Sequence, residues 1–338
     1  MRWLIQTYFS FRVSFTGVAE DIASVVRSVE WEFGDFITHV PMKPYDGVLY
    51  IGSFMNIDIA RYYRYVWWSG RHLYYGVTEG PLVLSPFNYA AVRSMRVVVP
   101  SMYVRWELEN AGIPVYSVVP HGVDVDGIRG ADPRPWRKIF GDRVVVLYIA
   151  HRNIRKGFRQ LVDAWRSSRM AGDSNVLLVL HTERKPNTNE DGYIIPEDGN
   201  IVVTDNVLKL DRRALYGLYM ACDVYVHGAL CEGFGIPVVE AMAAGKPVLC
   251  IDAGPMNEHI RDKEALVRVD RQEIYNDRGI ANYRLNIPDQ KEYIEKLEAL
   301  VYDASLRREL GRRNMERAEK YRVDKVYKEL EKILIGSW

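Results

Sequence analysis

The sequence predicts an α/β protein built from two parallel-sheet domains, and three observations lead there. The chain has 338 residues, enough for two domains that each bury a core of their own. Short runs rich in Val, Ile, Leu and Tyr recur between helical or loop segments, the alternation of a parallel sheet with crossover connections. The stretch Asp132-Pro133-Arg134-Pro135 is stiffened by proline where few contacts need to cross, and it separates residues 1–132 from the remainder.

Composition removes several classes of function. A net charge of +1 gives no global field to recruit nucleic acid, and no nucleic-acid partner is expected. The three cysteines, Cys222, Cys231 and Cys250, have neither metal-ligand spacing nor an even count, which suits buried thiols in a reducing compartment. No run of apolar residues is long enough to span a bilayer, and Met1-Arg2-Trp3-Leu4-Ile5 leads directly into a strand-like run. A cytoplasmic protein is expected.

Along the first half, strands are expected over 1–8, 36–40, 47–51, 72–77, 96–99 and 116–119. A helix is expected over 18–29, with Gly17 at the turn that enters it. A glycine there lets a phosphate come close to backbone N–H groups, although a simple helix-start glycine would look the same. Open parallel sheets bind ligands beyond the carboxyl ends of their strands, which draws attention to Thr78, Glu79 and Gly80 after the strand ending at Val77. Glu79 is the ionisable group of that loop, and a helix-capping role is its plainer reading. The aromatic and basic run 61–68 has the spacing of an inward-packed helix with an arginine-rich outer face; peripheral membrane or acceptor contact by its other residues stays open.

The second half opens with an apolar strand over 144–149, followed by His151-Arg152-Asn153-Ile154-Arg155-Lys156-Gly157 and a helix over 158–167. Cations between a strand end and a helix start suit a diphosphate. Strands are expected over 176–180 and 200–204 and a helix over 212–220. Then comes the stretch on which the chain centres. A short strand ending at Val226 leads into Cys231-Glu232-Gly233-Phe234-Gly235-Ile236-Pro237 and a helix that closes at Gly245. Backbone N–H groups from Phe234 to Val238 would face out of that helix start, where the macrodipole favours an anion. Glu232 and Glu240 stand one before the helix and one about a turn inside it, placed to accept hydrogen bonds from hydroxyls of a polar ligand. Residues 290–334 read as charged amphipathic helices.

The run Glu232-Gly233-Phe234-Gly235-Ile236-Pro237 with Glu240-Ala241-Met242 and Gly245-Lys246-Pro247-Val248 resembles the Glu-x7-Glu motif of retaining, family-4 type glycosyltransferases of GT-B fold. Val99-Pro100-Ser101 and Pro120-His121-Gly122-Val123-Asp124 resemble the segments that lead to that family's interdomain linker, with His121 where asparagine is usual. The resemblance covers most of residues 95–335. It implies two Rossmann-like domains facing a cleft: an acceptor-side domain over 1–132, a donor domain over 133–316, and a final helix over 317–338 crossing back to the first. It also implies that Arg152 and Lys156 hold the donor diphosphate, that Glu232 orients donor-sugar hydroxyls, and that Glu240 meets the ribose. Gly17 matches the first glycine loop, Val207 the nucleobase contact, and Glu79 the position facing the bond that breaks.

The expected activity is therefore metal-independent, retaining transfer of a sugar from a UDP-, GDP- or ADP-linked donor, with no cofactor. The acceptor, whether glycan, lipid, protein or small molecule, is not specified. Asp124-Val125-Asp126 belongs on this reading to the linker and not to a metal site. A sugar-nucleotide epimerase or phosphorylase of the same fold, and a non-catalytic sugar-nucleotide binding module, remain as alternatives.

Overall fold

The structure is a computed structural model that describes residues 1–7, 14–35, 44–54, 70–182, 195, 198–204, 210–277, 279 and 281–337. Val207, the aromatic run 61–68 and the strand expected over 36–40 lie outside the described residues. The chain divides into two compact units, the first formed by Met1–Gly122, Ile274–Arg284 and Tyr321–Trp338, the second by Val123–Glu273 and Leu285–Lys320.

The first unit holds β1 (Arg2–Thr7), α1 (Ser14–Val25), β2 (Glu30–Asp35), β3 (Gly47–Ser53), β4 (His72–Val77), α2 (Pro86–Arg93), β5 (Arg96–Val99), α3 (Met102–Asn110) and β6 (Ser117–Val118). Its sheet runs β2-β1-β3-β4-β5-β6, and every neighbouring pair is parallel. The central strand β3 is buried on both faces, as its Val-Leu-Tyr-Ile run requires of a sheet covered by helices. Ser101 does what a serine before a helix should: its Oγ accepts from the Val104 N–H at 3.2 Å and caps α3. One expectation is corrected here. Helix α1 starts at Ser14, so Gly17 sits inside its first turn and not at the turn entering it.

The second unit follows with α4 (Val125–Arg129), α5 (Arg134–Phe140), β7 (Val144–Ile149), α6 (Phe158–Arg166), β8 (Val176–His181), β9 (Ile201–Thr204), α7 (Arg212–Ala221), β10 (Val224–His227), α8 (Ile236–Ala243), β11 (Val248–Ile251), α9 (Met256–His259) and β12 (Leu266–Val267). Its sheet, also all parallel, runs β12-β11-β10-β7-β8-β9. The strand order reverses between β7 and β10, and the crevice outside their carboxyl ends is where such sheets take ligands. Asp223 ties the two strands together at their other ends, its Oδ2 accepting from the Val145 N–H and from Arg137 Nη2, both at 2.8 Å.

The units part between Gly122 and Val123, not at the prolines around 132. The reason is apolar burial: Val125 and Ile128 of α4 are buried, and α4 packs on α7 and α8 of the second unit. Asp124 caps α4 through its Oδ1, which accepts from the Gly127 N–H at 2.9 Å.

After β12 the chain makes a two-stranded hairpin, β13 (Val269–Asp277) and β14 (Ala281–Pro288), before α10 (Gln290–Tyr302), α11 (Ala304–Ala318) and α12 (Val323–Ile335). The arms of the hairpin belong to the second unit and its tip to the first. At the tip, Arg284 Nε meets Glu107 Oε1 at 2.8 Å, and its guanidinium lies 5.3 Å from the Trp106 ring centroid. Among the described residues no helix is long and apolar enough to cross a membrane.

The last helix, α12, returns to pack on α1. Its Tyr327 is wholly buried, and the Tyr327 hydroxyl accepts from the Gly122 N–H at 3.1 Å. Tyr75 donates nearby to the Val119 and Pro120 carbonyls, and the edge of the His121 ring meets Tyr75 with centroids 4.9 Å apart. Burial pushes the His121 imidazole down to about 3, so it is neutral at physiological pH. Tyr327→Phe keeps the ring and removes the acceptor of a buried amide. It is expected to lower the stability of the first unit by about 1–3 kcal/mol. Thermal unfolding compared with the native chain checks this; an unchanged midpoint would contradict it.

Candidate active site

Two loops build the site, one leaving β7 and the other leaving β10. The first carries Arg152 to Gly157. Asn153 caps a 3-10 turn over Ile154–Lys156, its side chain accepting from the Arg155 N–H at 3.1 Å. Gly157 then adopts φ 59°, and a Cβ there would fall 2.1 Å from the Gly228 carbonyl oxygen of the second loop, so only glycine permits this approach. The loops are stitched further by the Leu230 N–H donating to the Arg155 carbonyl at 2.7 Å. Tyr148 of β7 donates to the Lys156 carbonyl, also at 2.7 Å. Both cations thus sit on a backbone held from two sides.

At the meeting point lies Glu232, whose side chain is 11% exposed. Lys156 Nζ pairs with its Oε1, Arg155 Nη1 lies 3.6 Å from its Oε2, and His227 Nε2 lies 3.4 Å from Oε1. Burial by itself raises the Glu232 carboxyl, but the cations facing it, Lys156 foremost and then Arg155, outweigh burial and hold the group well below the usual carboxylate range. His227, 1% exposed, goes the other way. Burial is the main cause and lowers it, the Glu232 carboxylate opposes, and Lys156 and Arg155 push it down again. Its ring is neutral at physiological pH.

The second loop runs on through Gly233 and Phe234 to α8. Gly235 stands before the helix at φ 84°, a conformation that side chains rarely take. His259 of α9 fixes the loop by its Nε2, which donates to the Phe234 carbonyl at 2.7 Å, while the two rings meet edge to face at 4.7 Å. Burial lowers His259 to about 4 despite that bond, so the neutral donor form persists. The helix start is narrower than expected. Pro237 has no N–H, and the Val238 N–H donates to the Gly235 carbonyl at 2.9 Å. The first-turn amides of Gly235 and Ile236 remain to face an anion. Glu240 lies within α8, and the Tyr219 hydroxyl donates to its Oε2 at 2.8 Å.

The structure therefore brings Lys156, Glu232, Gly233, Phe234 and Gly235 onto two facing loops, with Ile236, Pro237 and Glu240 on the helix that follows the second. Arg152 is 1% exposed and lines a cavity of about 180 Å3 together with Arg159, Leu230, Arg271, Glu273 and Ile287. Of the two arginines of this run, Arg155 is the one seen paired with Glu232. Arg155 and His227 are the members that sequence reasoning missed. The adjacent pair Arg155-Lys156, and a histidine closing the apolar run Val224-Tyr225-Val226, were the available signals. Glu79 and Gly17 belong to the first unit. The Glu79 carbonyl accepts from the Arg284 N–H at 3.0 Å, which fastens its loop to the hairpin tip.

Residues 134–317 match the sequence model of a protein family described as glycosyl transferases group 1. Among curated relatives, the phosphatidyl-myo-inositol mannosyltransferase of Mycobacterium leprae is 26% identical over 208 residues, 56% of this chain and 53% of that protein. The chain thus spans about half the length of that relative. An uncharacterized glycosyltransferase of Methanocaldococcus jannaschii is 26% identical over 261 residues, 72% of this chain and 62% of its own. Among solved structures, Anabaena HepE in complex with UDP and glucose superposes with a TM-score of 0.73 at 16% identity, over 99% of both chains. Sucrose-phosphate synthase from Thermosynechococcus elongatus gives 0.72 at 15% identity, over 99% of this chain and 98% of its own.

The depressed Glu232 carboxyl sets a pH dependence. A group whose folded value lies below its unfolded value contributes stability that is full above the unfolded value of 4.5 and drains away as pH falls through that range. Glu232→Gln leaves Lys156 and Arg155 without their counter-charge and is expected to cost about 3–5 kcal/mol at neutral pH. The deficit should narrow as pH falls below 4.5. Thermal unfolding of both chains across that range checks this, and a deficit that stays constant with pH would contradict it.

Proposed function

This chain belongs to the glycosyl transferases group 1 family and has the GT-B fold, and from that premise we propose that it moves a sugar from a nucleoside-diphosphate sugar to an acceptor, with retention of configuration and without a metal ion. The observation that carries the reading is the convergence of Lys156, Arg155 and the start of α8 on Glu232, at the point where the strand order reverses.

As the glycosidic bond breaks, negative charge builds on the oxygens of the departing diphosphate. Lys156, Arg155 and the amides of Gly235 and Ile236 would stabilise it electrostatically, in a pocket where such interactions gain strength from low polarity. Glu232 would turn from its cations to the hydroxyls of the donor sugar. Glu240, oriented by Tyr219, would hold the ribose. Val207 is retained as the base contact and Glu79 as a reaction-centre residue, both by family resemblance. The solved Anabaena protein holds UDP, which makes a uridine donor the first to test here, ahead of GDP- and ADP-sugars. Three buried free thiols support a cytoplasmic location.

A thermal-shift series with UDP, GDP, ADP and their sugars is expected to raise the midpoint for one nucleotide class. At a hundred times the dissociation constant the gain is about 2.7 kcal/mol. Lys156→Ala is expected to fold, because Arg155 still faces Glu232, and to lose most of that shift and of turnover. Arg155→Ala is expected to weaken nucleotide binding at least tenfold more than Arg152→Ala does, a gap of about 1.4 kcal/mol. No shift with any nucleotide would remove the donor-site assignment, and the reverse order of the two arginines would remove Arg155 from it.

A further inference from the structure

His227 closes β10 as a buried imidazole, and neither of its ring nitrogens makes a hydrogen bond among the described residues. Its Nε2 faces the same Glu232 oxygen that Lys156 holds. The role inferred for His227 rests on the donor-site reading, which asks Lys156 to serve two anions in turn: Glu232 in the empty site and a diphosphate in the filled one. When the ammonium moves to the phosphate, Glu232 stays buried and loses its main counter-charge. Leaving a buried carboxylate uncompensated is strongly unfavourable.

Something must take over. Arg155 is the other cation at hand, but its charge is fixed and the diphosphate draws on it as well. The groups that face His227 offer no substitute. Tyr148 of β7 and Tyr225 of β10 are phenols whose pKa burial drives far up. Cys250 of β11, opposite His227 in the sheet, is a thiol likewise raised by burial. His259 of α9 already donates its Nε2 hydrogen to the Phe234 carbonyl. His227 alone among these is neutral, within reach of Glu232, and able to gain a positive charge.

We propose that His227 is a positioning residue that takes Glu232 over from Lys156 when a nucleoside diphosphate binds, gaining one proton from solvent so that an imidazolium Nε2–H faces Glu232 Oε1. The balance is simple: the free site holds a neutral ring and a carboxylate–ammonium pair, and the filled site holds an imidazolium–carboxylate pair and an ammonium–phosphate pair. Both changes at the site, the departure of Lys156 and the arrival of an anion, raise the ring's affinity for a proton. Donor binding is then linked to proton uptake, and Glu232 stays oriented for the sugar hydroxyls.

Isothermal titration of the full chain with UDP, GDP and ADP, each in two buffers of different ionisation enthalpy at slightly alkaline pH, measures the protons taken up. The native chain is expected to gain up to one, and affinity should fall by up to about tenfold per pH unit as pH rises through the window that the ring traverses. His227→Gln keeps an N–H near the Nε2 position and cannot titrate. It should bind more weakly and lack that uptake and that pH slope, while proton changes on the nucleotide itself, common to both chains, cancel in the comparison. Should the variant not fold, nitrogen-15 shifts of the His227 ring in the native chain read the same event, moving from neutral imidazole to imidazolium as nucleotide is added. Equal uptake in both chains, or a ring that stays neutral in the filled site, overturns the proposal. Absence of any binding heat removes the donor site itself, and the proposal with it, an outcome distinct from binding without proton uptake.

Discussion

A carboxylate taken out of water has to be answered by positive charge, and Glu232 is the buried carboxylate around which this site is arranged. Its needs explain the neighbours. Lys156 and Arg155 sit on a turn whose carbonyls are held by Tyr148 and Leu230, so the two cations cannot drift from the acid they serve. The pairing cuts both ways, since the same cations that keep Glu232 ionised are the ones an incoming diphosphate would claim. A pair of this kind contributes little net stability compared with apolar packing, while breaking it from one side is expensive. Its position where the strand order reverses therefore fits a role toward a ligand better than a role in holding the fold.

Topology puts this chemistry where it is. In the second unit β7 lies at the middle of the sheet, with β10 on one side and β8 on the other, so the loops leaving β7 and β10 diverge to opposite layers and open a crevice between them. The close approach of Gly157 to the Gly228 carbonyl draws the two loops together. The positive-φ Gly235 then turns the chain into α8 with its first amides at the rim. The hairpin of β13 and β14 adds an anchor on the second loop. Asn286 of β14 donates both its backbone and its side-chain N–H to the Leu230 carbonyl, each at 2.9 Å, so the residue that holds Arg155 is itself held.

Much of this was legible in the sequence, and the parts that were not have physical reasons. The strands over 144–149 and 176–180 and the one ending after Val226 could be read because each is a short apolar run buried almost throughout, and the Glu232–Glu240 stretch because glycines and a proline at a strand-to-helix turn leave few alternatives. The hairpin was missed: β13 is mostly exposed, and its charged Val-Asp-Arg-Gln-Glu run has the composition of a loop. The unit boundary was placed too late because prolines mark stiffness, whereas membership of a unit is decided by burial, here of Val125 and Ile128. Arg155 was passed over because it stands in one cationic run with Arg152 and Lys156, and spacing alone does not show which members of such a run reach Glu232. His227 had no signal beyond its position, since a histidine that ends a buried strand is more often packed than used.

The account stands or falls on whether Lys156 changes partner. A crystal structure of the chain with a bound nucleoside diphosphate tests this most directly. The account predicts that Lys156 Nζ, and Arg155 with it, will lie within hydrogen-bonding distance of the phosphate oxygens, with Glu232 turned to His227 and freed from the ammonium. A diphosphate bound away from the loops after β7 and β10, or one bound there while Lys156 stays on Glu232, would contradict it.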